Sequence, residues 1–255
     1  MSESFALALI LAGSLFAQGR GGRAGTPPRS PKDSAAFDLT GYWVSIVSED
    51  WRFRMFTPAK GDFPGFPLNA EGTKAANAWD PAKDEAAGLQ CKSYGAAGLM
   101  RVPGRFHITW ENDNTLRIDS DAGQQTRLLH FGGTLPQNAT PQWQGYSVAQ
   151  WERTRNRSRG GEGQPGAGDS SGGSLKVITT NLRAGYLRKN GVPYSEKATV
   201  TEYYDLLHEP DGTQWLVIKT IVEDPTYLTG PFITSTNLRK QADSSGWNPQ
   251  PCTAR

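Results

Sequence analysis

Short runs in which apolar and polar residues alternate fill most of the sequence after residue 105. In QWLVIKTIVED (214–224), Leu216, Ile218 and Val222 occupy one set of alternate positions, and Lys219 and Glu223 occupy the other. A period of two is that of a β-strand with one face towards a core. The runs follow one another without the intervening helices of βαβ units, so the pattern predicts an antiparallel all-β protein.

Enough runs are present to close a sheet. Besides 214–224, they are GRFHITWENDNTLRID, QQTRLLHF, QGYSVAQWE, SLKVITTNL, ATVTEYYDLL and PFITSTNLRK, and YWVSIVSEDWRFRM (42–55) predicts one long first strand. A closed sheet has no exposed edges, and a barrel of about eight strands has room for side chains or one small ligand. We therefore expect a barrel, with a β-sandwich as the alternative.

One Ala-rich segment, NAEGTKAANAWDPAKDEAAG (69–88), interrupts the strands. Asn69 is a candidate N-cap, and Asp80 followed by Pro81 predicts a second helix start. Gly88 would end that helix. The segment predicts a helical insertion of two short helices over one mouth of the barrel.

The N-terminus predicts export. Residues 1–17 contain an apolar core from Phe5 to Phe16, shorter than the roughly 20 residues that span a bilayer, and a small-residue ending. The segment before that core carries Glu3 and no Lys or Arg, which departs from the usual signal peptide. We expect a signal peptide (1–17), a flexible linker (18–37) and a single barrel domain (38–255), in a periplasmic or secreted protein without stable membrane insertion.

The two cysteines, Cys91 and Cys252, support this compartment, because an even pair in an exported chain usually forms a disulfide. The formal net charge of +2 argues against nucleic-acid binding. The Arg- and Gly-rich stretch 153–173 predicts a mobile loop. It also motivates a further hypothesis, an envelope or interaction module that uses this loop.

Four short motifs in the C-terminal half carry a resemblance: Thr179–Asn181, Thr201–Tyr203, Glu223–Pro225 and Pro231–Phe232. With DLTGYW (38–43), they resemble a family of largely uncharacterised exported proteins of soil bacteria that is similar to lipocalin-like (calycin) barrels. The resemblance covers roughly residues 143–240 and implies an antiparallel barrel with a central cavity. The Arg/Gly loop and EDWRFRM depart from the family's usual form.

Alternation also selects candidate catalytic residues. Asp224 precedes a proline and is expected to shape a turn, whereas Glu223 is a candidate general base. His130 and Glu202 are the other candidates, with Arg54, Arg127 or Tyr203 polarising a substrate. This is the alternative function, a cofactor-independent lyase, isomerase or hydrolase. No Walker loop occurs, and the GxSxG string GDSSG (168–172) lies in the Arg- and Gly-rich stretch rather than in the strand–turn–helix pattern of a nucleophile elbow.

The leading hypothesis is a barrel that binds a small aromatic or amphipathic molecule in its central cavity without a cofactor. The candidate ligand-binding residues are Arg52, Arg54, His107, Trp110, Arg127, Trp151, Tyr186, Arg188 and Tyr203. In the loop 181–196, Arg188 and Lys189 with Tyr186 and Tyr194 could hold a carboxylate or a sugar, or the loop is an ordinary hairpin. His107 and His130 could converge near Asp119 or Glu111, but their spacing does not require a metal. Ligand, substrate and oligomeric state are not indicated by the sequence.

Overall fold

The computed structural model describes residues 29–153 and 173–255. The predicted signal peptide, residues 18–28 of the predicted linker and residues 154–172 of the predicted loop lie outside the described residues. The strands are β1 Gly41–Ile46, β2 Arg105–Asn112, β3 Thr115–Ser120, β4 Gln125–Phe131, β5 Tyr146–Arg153, β6 Gly173–Thr180, β7 Gly185–Arg188, β8 Val192–Tyr194, β9 Thr199–His208, β10 Gln214–Glu223 and β11 Phe232–Lys240. The helices are α1 Trp51–Met55, α2 Ala70–Asn77, α3 Pro81–Ala86 and α4 Ala96–Leu99, with a 3₁₀-helix at Gln90–Tyr94.

Nine strands form a closed barrel in the order β1-β11-β10-β9-β6-β5-β4-β3-β2, and β7 and β8 form a separate hairpin. Every neighbouring pair in the barrel is antiparallel except β4 and β5, which run parallel. Strand direction cannot alternate all the way round a ring with an odd number of members, so one pair has to be parallel. The expected barrel is confirmed, with this one departure from a wholly antiparallel sheet.

The inward positions of the barrel are filled by large side chains. Residues at these alternate positions have at most 3% of their surface exposed: Trp43, Phe106, Ile108, Leu116, Ile118, Leu129, Ala149, Leu175, Val177, Tyr204, Leu216, Ile218 and Leu238. Their packing accounts for the alternation in the sequence. The described side chains therefore fill the centre of the barrel, which does not support the predicted central cavity.

One ion pair lies inside this apolar core. The Arg127 guanidinium donates to both carboxylate oxygens of Glu202, at 3.1 and 2.6 Å, and also to the Thr179 hydroxyl. Both charged side chains are fully buried. Burial lowers the pKa of Arg127, but the adjacent Glu202 carboxylate outweighs it, and the net shift is upward. Each charge of the pair has the other as its partner, although Arg127 Nε is buried without a hydrogen-bond acceptor among the described residues.

One end of the barrel, here called the aromatic end, is closed by rings. Phe131 lies 5.4 Å from Trp110 and 5.5 Å from Trp151, and Phe37 packs edge-on against Trp151 at 5.2 Å between ring centroids. Residues 29–40 cross this end, where the Trp151 indole donates to the Pro31 carbonyl at 3.0 Å. These contacts leave the inner aromatic residues packed against one another.

The opposite end, here called the helical end, carries α1 to α4, the β7–β8 hairpin and the C-terminal segment, residues 248–255. A second apolar cluster holds these elements to the barrel: Ala96, Ala97, Leu182, Leu187, Val192, Tyr194, Ala198, Val200, Val222, Leu228 and Phe232. The C-terminal segment pairs with the β3–β4 turn through Gln250, and a Cys91–Cys252 disulfide with an S–S distance of 2.11 Å ties it to the 3₁₀-helix. The predicted pairing of the two cysteines is confirmed.

Two helix starts are as predicted. Asn69 caps α2 by accepting from the Gly72 amide at 2.8 Å, and Asp80 caps α3, in which Pro81 is the first residue. The predicted turn role of Asp224 is also confirmed. Its carboxylate accepts from the backbone and hydroxyl of Ser195 at 2.6 and 2.7 Å and from the Thr226 amide at 2.9 Å.

The prediction of one long strand over residues 42–55 is wrong. Strand β1 ends at Ile46, Asp50 adopts a left-handed backbone with φ 50°, and residues 51–55 form α1. The alternating letters WRFRM fit a helix as well, because residues 51 and 55 and residues 50 and 54 are then one turn apart. Tertiary contacts decide the outcome, since the helix places Arg54 against Glu49 and the carbonyl of Arg101.

Candidate functional site

A cavity of about 490 Å³ lies at the helical end, between α1, the 3₁₀-helix, the start of β2, the β3–β4 turn, the end of β7 and the C-terminal segment. It is lined by Phe53, Arg54, Met55, Phe56, Thr57, Ser93, Tyr94, Gly98, Arg101, Val102, Pro103, Gly104, Arg105, Asp121, Ala122, Gly123, Leu187, Arg188, Lys189, Asn248, Gln250, Pro251 and Thr253. Its size is within the usual range of small-molecule sites, about 300–1,000 Å³.

Helix α1 places Arg54 in the wall. The side chain is buried, its Nε donates to the Arg101 carbonyl at 3.0 Å, and its Nη1 pairs with Glu49 Oε1 at 3.0 Å. Burial is the largest influence on Arg54 and lowers its pKa, although Glu49 acts in the opposite direction. Arg54 therefore joins α1 to the chain that follows α4.

Arg101 follows α4 and connects the cavity wall to the barrel. Its Nη2 lies 2.9 Å from Asp50 Oδ2, and its Nη1 donates to the Thr234 hydroxyl on β11. The guanidinium carbon also lies 5.5 Å from the centroid of the Phe232 ring. Arg101 thus has a carboxylate, a hydroxyl and an aromatic partner.

Arg188, at the end of β7, lacks a carboxylate partner. Its guanidinium lies over the rings of Phe53 and Phe66, at 4.8 and 4.4 Å, and its Nη2 donates to the Pro64 carbonyl at 3.0 Å. Burial, and secondarily the nearby charge of Arg101, lowers the pKa of Arg188 to about 10, although the carboxylates of Asp50 and Asp62, which form no ion pair with it, act in the opposite direction. The surroundings therefore oppose its positive charge, even though a guanidinium is still ionised at neutral pH.

Tyr94 and Lys189 form the rim beside the C-terminal segment. The Lys189 ammonium lies 4.9 Å from the Tyr94 ring centroid and donates to the Thr253 hydroxyl at 3.1 Å. Burial raises the pKa of Tyr94, but hydrogen bonds from Lys189 and Thr253 outweigh it, and the net shift is downward. The phenol oxygen is thus held mainly as a hydrogen-bond acceptor at this rim.

The lining is rich in positive charge. Five basic side chains line the cavity, Arg54, Arg101, Arg105, Arg188 and Lys189, against the single carboxylate of Asp121. Two of them are neutralised by Glu49 and Asp50 just outside the lining. The cavity therefore presents a positive electrostatic potential next to the apolar side chains Phe53, Met55 and Leu187.

The three predicted catalytic residues do not meet. Glu202 is inside the barrel, bound to Arg127. Glu223 is exposed and lies at an outward position of β10, and His130 lies at an outward position of β4, stacked on Tyr146 at 4.9 Å between ring centroids. Partial burial lowers the pKa of His130, yet no predicted acid–base partner adjoins it. This geometry does not support the cofactor-independent enzyme built on these groups.

His107 and His130 also fail to converge. They lie on β2 and β4, with β3 between them, opposite Asp119 and Thr115 respectively. Those partners are four positions apart on β3, which is about 13 Å along the strand. His107 stacks on Tyr42 at 4.1 Å. Within residues 29–153 and 173–255, no group of three or more His, Cys, Asp or Glu side chains could hold a metal ion.

Of the nine predicted ligand-binding residues, two line the cavity, Arg54 and Arg188. The other seven lie in different surroundings. Trp110 and Trp151 are at the aromatic end, and Arg127 is in the core. His107 stacks on Tyr42, Arg52 is exposed on α1, the Lys219 ammonium lies over the Tyr203 ring on the outer wall, and the Tyr186 hydroxyl donates to Asp84. Lys189 of the predicted rim lines the cavity as well, whereas Tyr194 is buried in the second apolar cluster.

Sequence reasoning missed Arg101, Arg105 and Tyr94. Tyr94 and Arg101 belong to a segment without alternation or helical period, and Arg105 is the first residue of β2, where alternation assigns a face but no role. One local signal is present in RVPGR (101–105), where two arginines flank a Pro-Gly turn immediately before a strand. Charged residues at such a junction lie at a barrel mouth, where ligands commonly bind.

The arrangement can enclose a small molecule that has an apolar part and a negatively charged or hydrogen-bonding part. Within the two described ranges, no helix is long and apolar enough to cross a membrane. The closed barrel is compatible with the lipocalin-like architecture implied by the sequence motifs. Compared with protein-family models, with curated proteins and with solved structures, the chain matches none.

Proposed function

We propose that this chain is an exported barrel protein that binds a small aromatic or amphipathic molecule in the cavity of the helical end. The observation that carries the proposal is the cavity of about 490 Å³, which combines an apolar wall with a few polar groups. That combination is characteristic of sites for small organic ligands. The barrel serves as the rigid support, and the helical end supplies the binding residues.

Exposed apolar side chains beside the cavity support the proposal. On and after α1, Met55 and Phe56 line the cavity and have 55% and 72% of their surface exposed. Contiguous exposed apolar surface frequently marks a binding groove. An amphipathic ligand that contacted these two side chains would remove their apolar surface from water, and this burial would contribute to its affinity.

The disulfide supports the export part of the proposal. Cys91 and Cys252 are bonded, and such bonds persist in oxidising compartments such as the periplasm or the extracellular space. Because Gln250, Pro251 and Thr253 line the cavity, the bond also holds one wall of the proposed site.

Binding of N-phenyl-1-naphthylamine, an uncharged aromatic probe whose fluorescence rises in apolar surroundings, tests the proposal. We expect saturable binding of one probe molecule per chain. Thr57→Trp places an indole in the half-buried wall and should weaken binding at least tenfold. Leu128→Trp, which adds the same ring on the outer wall of β4, is the matched control and should bind as the wild type does.

Two results would contradict the proposal. One is the absence of saturable binding by the folded wild-type protein. The other is equal binding by the wild type and by Thr57→Trp, since the probe would then occupy a different surface. Circular dichroism of both variants establishes that each one is folded before the affinities are compared.

A further inference from the structure

We propose that the ligand is an organic carboxylate with an aromatic body and that Arg188 holds its carboxylate. The inference rests on the proposed function, because it assigns the chemical class of molecule that the cavity binds. It is carried by three features of the helical end: the balance of charge around the cavity, the hydrogen-bonding groups left without partners, and the apolar side chains around Arg188.

The first feature is uncompensated positive charge. Arg54 and Arg101 have Glu49 and Asp50 as ion-pair partners. Within residues 29–153 and 173–255, the other three basic lining residues, Arg105, Arg188 and Lys189, form no ion pair. A buried guanidinium without a counter-ion is unfavourable, and a bound anion would neutralise it.

The second feature is a set of unpartnered donors. In the described part of the chain, Arg188 Nε and Nη1 and Arg54 Nη2 are buried and have no hydrogen-bond acceptor. Buried donors without acceptors are rare in folded proteins, and each one lowers stability. A carboxylate offers two oxygens and several lone pairs, so one group could satisfy more than one of these donors.

The third feature is the surroundings of Arg188. The guanidinium lies over the rings of Phe53 and Phe66, and every N–H bond of a guanidinium lies in its own plane. An acceptor therefore has to approach in that plane, as a planar carboxylate does. Phe53 itself lines the cavity, so a ligand would reach the shielded nitrogens by displacing this ring and would pack its own aromatic body beside it.

The acid–base properties of Arg188 agree with this role. Its pKa is lowered to about 10 by burial and by the nearby Arg101. A carboxylate beside the guanidinium would raise this pKa again, because an opposite charge favours the charged form. The cavity thus holds a charge whose surroundings become favourable once an anion binds.

Isothermal titration of the full chain with naphthalene-2-carboxylate and with naphthalene-2-carboxamide tests the inference. The two molecules have the same ring and a planar head of similar size, and they differ in charge. We expect the carboxylate to bind about 10- to 100-fold more tightly, the range for a hydrogen-bonded charge pair. Added NaCl should weaken carboxylate binding more than carboxamide binding.

Arg188→Met removes the charge and keeps an unbranched side chain between the rings. It should lower the affinity for the carboxylate about tenfold or more and leave the affinity for the carboxamide within about threefold. Arg183→Met is the matched control, because Arg183 is an exposed arginine that lies over the Trp143 ring at 4.3 Å outside the cavity lining. This control should bind both ligands as the wild type does.

The outcomes separate the inference from the proposed function. Equal affinities of the wild type for the two ligands would overturn the inference and leave the proposed function standing. No binding of either ligand, together with no binding of N-phenyl-1-naphthylamine, would overturn both. A carboxylate preference that persists in Arg188→Met would also overturn the assignment to Arg188. The wild-type comparison decides the ligand class even if that variant does not fold.

Discussion

The two ends of this barrel are closed in different ways. At the aromatic end, Trp110, Phe131 and Trp151 pack against one another, and residues 29–40 cover them. At the helical end, four short helices, a hairpin and the C-terminal segment surround a cavity of about 490 Å³. The aromatic end is a packed apolar layer. The helical end, as far as the structure describes it, contains a cavity, positively charged side chains and buried hydrogen-bond donors without acceptors.

The difference indicates which end serves stability and which end serves binding. Burial of large rings stabilises the fold, whereas an arginine without a counter-ion destabilises it. Local arrangements that lower stability are commonly found at functional sites. The contrast therefore favours the helical end as the place where a ligand acts, and variants at each end should behave differently.

The largest effect on stability is expected at the aromatic end. Trp151→Ala removes a ring that contacts both Phe37 and Phe131, and should lower the free energy of unfolding by about 3–5 kcal/mol. N-phenyl-1-naphthylamine binding by the folded fraction should be unchanged. Urea denaturation and fluorescence titration measure the two quantities. Trp151→Phe, which keeps a ring, should lose much less stability, and a loss of probe binding in it would contradict the division between the ends.

Removal of the disulfide should affect the helical end selectively. Cys91→Ser with Cys252→Ser should lower the free energy of unfolding by about 2–4 kcal/mol. It should also weaken probe binding, because the C-terminal wall of the cavity loses its covalent anchor. Denaturation and titration in parallel test this. If the double variant binds the probe as tightly as the wild type, the C-terminal segment does not contribute to probe binding.

The unfavourable charge of Arg188 predicts a pH-dependent difference between variants. The folded-state pKa of about 10 lies below the ordinary value of 12.5, so the folded protein releases this proton first. The contribution of Arg188 to the free energy of unfolding therefore rises as the pH increases from 10 towards 12.5. The unfolding free energy of the wild type minus that of Arg188→Met should increase by about 1 kcal/mol between pH 9 and pH 11. Urea denaturation of both proteins at each pH measures it, and a difference independent of pH would contradict the assigned burial of the charge.

The smallest effect is expected for Glu223. It is exposed on the outer wall, away from the cavity lining. Glu223→Gln should change the free energy of unfolding by less than about 0.5 kcal/mol and should leave binding of both naphthalene ligands unchanged. A loss of binding in this variant would mean that the site extends onto the outer wall of β10. Binding would then not be confined to the helical end.

Regular patterns account for what could be predicted. The alternation in β10 and the caps at Asn69 and Asp80 are local, and each is found in the structure. The sequence WRFRM is short enough to satisfy both a strand and a helix period, so its fold depends on the contact of Arg54 with the Arg101 carbonyl, 47 residues further along the chain. Local patterns do not predict the conformation of this segment, because the residue that determines it lies far away in the sequence.

The candidate site could be predicted only in part. The sequence indicates Arg188 because it lies in a distinctive loop, and this residue lines the cavity. It assigns Arg127 and Glu202 to two different roles, whereas in the structure these residues neutralise each other inside the barrel. Parity assigns a side chain to a face of the sheet. It does not show whether the space on that face is empty, because that depends on the volumes of all the side chains that meet there.

The sequence alone determined a β-rich chain with inward and outward residues, two capped helices and one pair of cysteines. Each of these features depends only on neighbouring residues or on residue counts. The tertiary structure alone decided that the barrel centre is filled and that the cavity lies at the helical end. It also decided which arginines lack a counter-ion. The physical reason is that packing and charge neutralisation depend on residues far apart in the chain, such as Arg188 with Phe53 and Phe66 for packing and Arg127 with Glu202 for charge.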